Sequence, residues 1–160
     1  MEIRKARIDE TDEILSIYDR ARKYMAEKDN PNQWIKGYPQ RGLVLEDINL
    51  GNLYVYVIDG EIEAVFLFAL GVEPTYRVIE GAWLNEDEYG YMHRIASRGR
   101  QKGLLKHIVD YCYGIHGNLR IDTHRDNKIM QHLLTKYGFE ECGIIYLEDG
   151  SPRIAYQKIK

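Results

Sequence analysis

The sequence predicts an α/β fold of the α+β type: a central, mostly antiparallel mixed sheet with helices on both faces. Three observations carry this expectation. Short apolar runs bounded by turn residues fill the middle of the chain, whereas apolar residues recur at helical spacing in four other segments. The elements run strand–helix–helix, then antiparallel strands, then strand–helix–strand–helix–strand–strand, an order that a sheet covered on both sides accommodates. The pair Asp59-Gly60 stands between two apolar runs and marks a hairpin, because Gly tolerates the positive φ of a type I′ turn.

Residues 3–7 alternate apolar and basic side chains and form the first expected strand. A helix follows over 11–25, with Asp9 as N-cap and Ile14, Ile17, Tyr18, Ala21 and Met25 on one face. Residues 28–38 hold Pro31, Trp34 and Gly37 without a period and read as a loop. Leu43, Val44, Asp47 and Ile48 suggest a short second helix. Leu53–Ile58 and Glu61–Leu70 are the arms of the Asp59-Gly60 hairpin, and residues 77–84 and 89–97 suggest another around Asn85-Glu86-Asp87-Glu88. Leu104, Leu105, Ile108, Val109 and Cys112 then share a helical face, ahead of a strand at Leu119–Thr123. That strand is expected to run parallel to the one ending at Ser97, with the helix as crossover. Met130, Leu133, Leu134 and Tyr137 mark a further helix, and strands over 141–147 and 153–159 close the chain.

With 160 residues and no linker, repeat or low-complexity tract, a single domain over 1–160 is expected. A hydrophobic fraction of 44% and a charged fraction of 29% suit a folded domain in water. Cys112 and Cys142 offer neither a disulfide framework nor a C-x-x-C motif, which fits a reducing cytoplasm. Met1 leads into Glu2-Ile3-Arg4-Lys5 without an apolar stretch, so no signal peptide is expected, and no apolar run reaches membrane-spanning length. A net charge of −3 argues against nucleic acid as a partner. His107, His116, His124 and His132 show no metal-ligand spacing, and no metal is expected.

The most informative segment runs from Ile95 through Ala96, Ser97, Arg98, Gly99, Arg100, Gln101, Lys102 and Gly103 to Leu104 and Leu105. A strand ends, two glycines sit in a basic loop, and a helix starts at once. Glycine permits close backbone approach, and a helix start leaves N–H groups unpaired at the positive end of the dipole. The segment therefore reads as an anion site for a phosphate or pyrophosphate, or more simply as an exposed basic turn. It lacks the spacing of a Walker loop or a dinucleotide fingerprint.

Two blocks make the chain resemble the GNAT acetyltransferase superfamily, in particular a bacterial branch with the same His-Arg-Ile-Ala-Ser strand. Arg100-Gln101-Lys102-Gly103-Leu104-Leu105 is similar to that family's acyl-CoA loop, Arg/Gln-x-x-Gly-x-Gly/Ala, except at Leu105. Leu119–Thr123, Asn127 and Tyr137-Gly138-Phe139 resemble its strand–Asn–helix–Gly-Phe block. The resemblance implies acetyl-CoA as cosubstrate and CoA as product. Backbone groups of Ile95, Ala96 and Ser97 would pair with the pantetheine arm, amides from Arg100 to Leu105 would hold the pyrophosphate, and Asn127 would bond the pantetheine or thioester end.

N-acetylation asks more of the amine than of the thiol. Deprotonating an alkylamine of pKa ~10.4 at pH 7 costs about 4–5 kcal/mol, and expelling a thiolate of pKa ~8.5 about 2 kcal/mol. A base therefore matters more than an acid. Asp122 and His93 are the candidates. Asp122 also reads as a partner of Arg120, and His93 as a hydrogen-bonded core histidine. The family's usual acid, a Tyr seven residues after the Asn, is Leu134 here. Tyr137 reads as core, and Cys142 and Tyr146 are possible substitutes. A strand amide near Ile95 to Ser97 would stabilise the oxyanion. Trp34, Tyr38, Tyr76 and Trp83 are expected to wall an amine-acceptor pocket. Glu73 and Glu80 read as solvated strand-end charges or as attractors of a cationic amine, and His124 as a solvated loop residue or a contact to the acceptor.

The expected function is N-acetylation of a primary amine on a small molecule or peptide. A non-catalytic acyl-CoA-binding sensor is the alternative, supported by Leu105 and Leu134. The late hairpin strands offer an edge to a second copy, so a homodimer is also an expectation.

Overall fold

The computed structural model describes residues 1–159. Eight strands form one sheet: β1 (Glu2–Lys5), β2 (Leu53–Ile58), β3 (Glu61–Leu70), β4 (Glu80–Gly81), β5 (Gly90–Ser97), β6 (Leu119–Thr123), β7 (Glu140–Tyr146) and β8 (Pro152–Lys158). Their order across it is β1-β2-β3-β5-β6-β8-β7-β4, and β5–β6 is its one parallel pair. Four helices accompany it: α1 (Thr11–Glu27), α2 (Arg41–Asn49), α3 (Leu104–Ile115) and α4 (Lys128–Lys136). The mixed sheet, the parallel crossover and the covered faces all follow the expectation. Among the described residues no helix is long and apolar enough to cross a membrane.

Strand β3 explains the two layers. It is buried from Ile62 to Ala69, so successive side chains enter opposite cores. Val65, Leu67 and Ala69 pack with Ile14, Ile17, Tyr18 and Ala21 of α1 and Val44 of α2. Ala64, Phe66 and Phe68 pack on the other face with Ile108, Val109 and Cys112 of α3 and Leu134 of α4. Each large apolar side chain so buried contributes about 1.5–3 kcal/mol. The β2–β3 turn has Asp59 and Gly60 at φ 50° and 80°, as the type I′ reading requires.

Two local expectations are corrected. Asp9 does not cap α1; it lies in a 3-10 turn, Ile8–Glu10, whose Glu10 carboxylate accepts the Arg7 amide and pairs with Arg4. Residues 77–84 do not form a hairpin with β5. Tyr76 and its neighbours instead form a 3-10 turn, and only Glu80–Gly81 is extended, paired with β7 at the far edge. That contact needs two glycines, since a Cβ on Gly81 would meet the Cys142 carbonyl and one on Gly143 the Glu80 carbonyl.

Two irregularities in β5 shape the site. Its ladder with β6 stops after Gly90↔Leu119 and Tyr91↔Arg120, so the strands then part and the facing edge of β5 is left unpaired. On the other side, Val65↔Ala96 is followed by Leu67↔His93, which places an extra residue in β5. The bulge falls at Arg94, a non-glycine residue at φ 51°.

Candidate active site

The wedge between the parted strands opens into two joined hollows. One, of about 490 Å³, runs between α1, the loop after β5 and the starts of α3 and α4. The other, of about 790 Å³, lies between the 28–40 loop, β5, β6 and the β7–β8 turn. Met25, Ile95, Asn127 and Met130 line both and form the junction.

The smaller hollow gathers nearly all of the residues expected at a cofactor. Ile95, Ala96, Ser97, Gln101, Lys102, Gly103, Leu104, Leu105 and Asn127 line it. Gly103 is the N-cap of α3 at φ 76°, and supplies no side-chain cap, so the first amides of the helix stay available. Gly99 suits its backbone, at φ 79°, and it lies against the guanidinium of Arg20, which reaches the Ser97 carbonyl. Leu105 is half-buried, packs against the α3–α4 core and lines the hollow.

The loop cations divide unexpectedly. The side chain of Arg100 turns away to Glu61 and to the buried Glu63, at 3.0 and 2.7 Å, and Arg98 pairs with Glu13. The charges of Arg98 and Arg100 are thus engaged within the fold, whereas Lys102 lines the hollow together with Arg20 and Lys28. Asn127 has a local duty as well. Its Oδ1 accepts the Met130 amide at 3.0 Å as the N-cap of α4, and its Nδ2 donates to Gln33 at 2.9 Å.

At the throat of the larger hollow, His93 and Asp122 come together with a group that was read as a solvated charge. His93 Nε2 meets Glu73 Oε2 at 3.1 Å, and its Nδ1 stands 3.8 Å from Asp122 Oδ2. Glu73 is held in place by the Thr75 amide and hydroxyl. Burial opposes its charge, but the hydrogen bonds from His93 and Thr75 outweigh it and hold its pKa at about 2. The partner of Asp122 is not Arg120 but the Tyr76 hydroxyl, which donates to it at 2.6 Å. Burial and the Asp122 charge push the Tyr76 pKa well up, so this hydroxyl stays a donor. Arg120 lies instead between the Trp83 and Tyr89 rings, at 4.1 and 4.0 Å.

The expected aromatic wall separates into two functions. Trp34 and Tyr38 line the larger hollow and meet edge-on at 6.2 Å. Tyr76 and Trp83 lie behind the cluster, where Trp83 Nε1 donates to the Tyr76 carbonyl. His124 is buried rather than solvated, with Nδ1 accepting the Asp126 amide. Leu134 is fully buried in the core. Tyr137, expected in the core, is half-buried beside the smaller hollow, and Tyr146 is exposed with its hydroxyl on Glu80.

Sequence reasoning missed the brace behind the bulge. Arg94 Nε and Nη2 each reach Asp47 at 2.8 Å, Nη1 donates to the Tyr38 hydroxyl, and the Arg94 carbonyl accepts from Tyr18. This fixes the strand between His93 and Ile95 from three elements at once. An Arg at a strand position and an Asp on an apolar helix face were its only traces in the sequence.

No family model matches the chain, and a search of curated proteins finds no match. Solved structures do. An 18% identical GNAT acetyltransferase from Listeria monocytogenes superposes with a TM-score of 0.68 over 98% of this chain and 93% of that one. AAC(6')-Ib, solved with ribostamycin and coenzyme A, gives 0.67 at 15% identity over 99% and 92%. Both show the fold. A GNAT-family acetyltransferase from Streptococcus agalactiae is 36% identical, with a TM-score of 0.90 over 99% of this chain and 95% of that one. At that identity, over nearly the full length of both chains, the likeness shows more than architecture: this chain belongs to the GNAT family of acetyltransferases.

Proposed function

We propose that the protein transfers an acetyl group from acetyl-CoA to a primary amine of a small-molecule or peptide acceptor, by direct attack of the amine on the thioester. The observation that supports this reading most is the junction of an open strand edge and amide-rich loop with the Glu73–His93–Asp122 cluster. The thioester supplies an activated acyl group with a thiolate leaving group. Free groups of Ile95, Ala96 and Ser97 pair with the pantetheine arm, and amides from Arg100 to Leu105 hold the diphosphate beside Lys102. Asn127 Nδ2, now on Gln33, is the donor at the junction.

Proton removal falls to His93. An ionised Glu73 can only accept, so the Nε2 of a neutral imidazole carries the proton and Nδ1 presents its lone pair. Nδ1 and Asp122 Oδ2 are then two acceptors 3.8 Å apart. An alkylammonium satisfies both, held by Asp122 while it gives one proton to His93. Glu73 stabilises the imidazolium formed, much as a carboxylate does in a catalytic triad. A β5 amide between Ile95 and Ser97 receives the charge that develops on the carbonyl oxygen. With Leu134 at the usual acid position the thiolate leaves without a side-chain acid, the smaller of the two demands, and takes up the second proton, which the nitrogen sheds as the amide forms. Trp34 and Tyr38 wall the acceptor.

Thiol release from acetyl-CoA with a range of amines tests the reading. His93→Gln is expected to lower kcat by about 10²–10⁴-fold with acetyl-CoA affinity unchanged. Binding of acetyl-CoA without release to any amine would favour the non-catalytic module. Wild-type rates in both His93→Gln and Asp122→Asn across about pH 6 to 9 would refute the base assignment.

A further inference from the structure

Three arginines lie near the site, Arg94 half-buried and Arg120 and Arg153 buried, and two are compensated. Arg94 has the Asp47 carboxylate, and Arg120 has two aromatic faces. Arg153 on β8 is different. It is only 6% exposed, yet it lines the larger hollow. Among the described residues it enters no ion pair: its guanidinium donates to the Pro152 carbonyl at 2.8 Å and the Gln33 carbonyl at 3.1 Å. Neutral carbonyls satisfy two of its five N–H groups but leave its charge unmatched in a place where charge is costly. Burial lowers its pKa, and Asp122 and Asp149 offset this only at longer range. Asp149 is itself engaged by the Ser151 amide.

Its position relative to the cluster follows from the ladder. Asp122 is opposite Ala155, and Arg153 is two residues before Ala155 on the same strand. Side chains alternate, so Arg153 and Asp122 rise from one face as diagonal neighbours, with β-carbons about 7–8 Å apart. Both side chains line the larger hollow, so an acceptor whose ammonium sits on Asp122 can present a carboxylate to Arg153, each through a charge-assisted hydrogen bond.

Resting on the acetyl-transfer reading above, we propose that the acceptor carries a carboxylate close to its amine, that Arg153 binds this carboxylate, and that the substrate class is the free amino acid. A polyamine is disfavoured because it would bring a second cation to an unmatched buried one.

The test uses matched acceptors: phenylalanine with phenethylamine, leucine with isopentylamine, and lysine with cadaverine. Each is assayed by thiol release and by thermal stabilisation of the CoA-loaded protein. In at least one pair the amino acid is expected to exceed its decarboxylated partner in kcat/KM by roughly 10- to 100-fold. Arg153→Met should abolish that preference through KM, and Arg153→Lys should keep part of it. Unchanged CoA binding shows that the variants are folded. Turnover that favours the plain amine in every pair, or a preference that survives Arg153→Met, overturns the inference while acetyl transfer stands. If no thiol is released at all, Arg153-dependent stabilisation by amino acids would keep carboxylate recognition and sink the acetyl-transfer reading. Absence of both sinks both.

Discussion

The brace behind the β5 bulge sets a quantitative prediction. Asp47 is 4% exposed and holds Arg94 through two hydrogen bonds of 2.8 Å. Asp47→Asn keeps the shape, removes the negative charge and turns an amide N–H₂ toward a guanidinium that has no other carboxylate partner among the described residues. Breaking one side of a buried pair costs about 3–5 kcal/mol, because the surviving charge stays desolvated. In a domain of this length that corresponds to a fall in Tm of roughly 6–20 °C. The backbone should suffer too, since Arg94 sits at φ 51°, a conformation that a non-glycine residue keeps only when its surroundings hold it.

Urea titration of wild type, Asp47→Asn and the double variant Asp47→Leu/Arg94→Met measures both effects. The single change is expected to lose about 3 kcal/mol or more, and the double variant to recover much of that loss, since replacing a whole buried pair by apolar groups is often close to neutral. Activity should not recover with it. Apolar groups restore packing without restoring the hydrogen bonds that aim His93 and Ile95, so the double variant should be stable and slow. A loss below about 1 kcal/mol in Asp47→Asn, or a double variant as unstable as the single one, would refute the argument.

Two further predictions concern charge. The Glu73 carboxyl is depressed from 4.5 to about 2 in the fold, so it adds stability that is present above pH 4.5 and fades as pH falls toward 2. Its ceiling is about 3 kcal/mol by the linkage relation, and the stability gap between wild type and Glu73→Gln should stay level from pH 6 to about pH 5 and narrow from there to pH 3; a constant gap throughout refutes it. Arg100 and Lys102 should separate cleanly. Arg100→Ala strands Glu63 and is expected to lower Tm with CoA affinity unchanged, whereas Lys102→Ala is expected to weaken CoA by about 3- to 10-fold in calorimetry, more at low salt, with Tm unchanged.

What the sequence made legible was local. The β2–β3 hairpin came out to the residue because Asp59-Gly60 encodes its own turn, and α3 because its apolar stripe and the Gly103 cap mark face and start together. The failed hairpin shows the converse. Residues 77–84 are apolar enough for a strand, yet partner choice in a sheet is decided by distant contacts, here by Gly81 and Gly143 permitting an approach to β7 that no neighbouring residue announces. The site divides in the same way. His93 and Asp122 were visible as side chains with suitable chemistry, but Glu73 looked solvated because twenty residues and a 3-10 turn separate it from His93. Arg100 looked like a ligand for phosphate because a loop sequence cannot show that Glu61 and Glu63, on a strand nearly forty residues earlier, had already claimed it. Formal charge can be counted along a chain; whether a charge is free to bind depends on which carboxylate the fold brings to it. The same reasoning singles out Arg153, which lines the cleft with neutral carbonyls alone, whereas Arg94 beside it has Asp47 and Arg120 lies between two rings outside it.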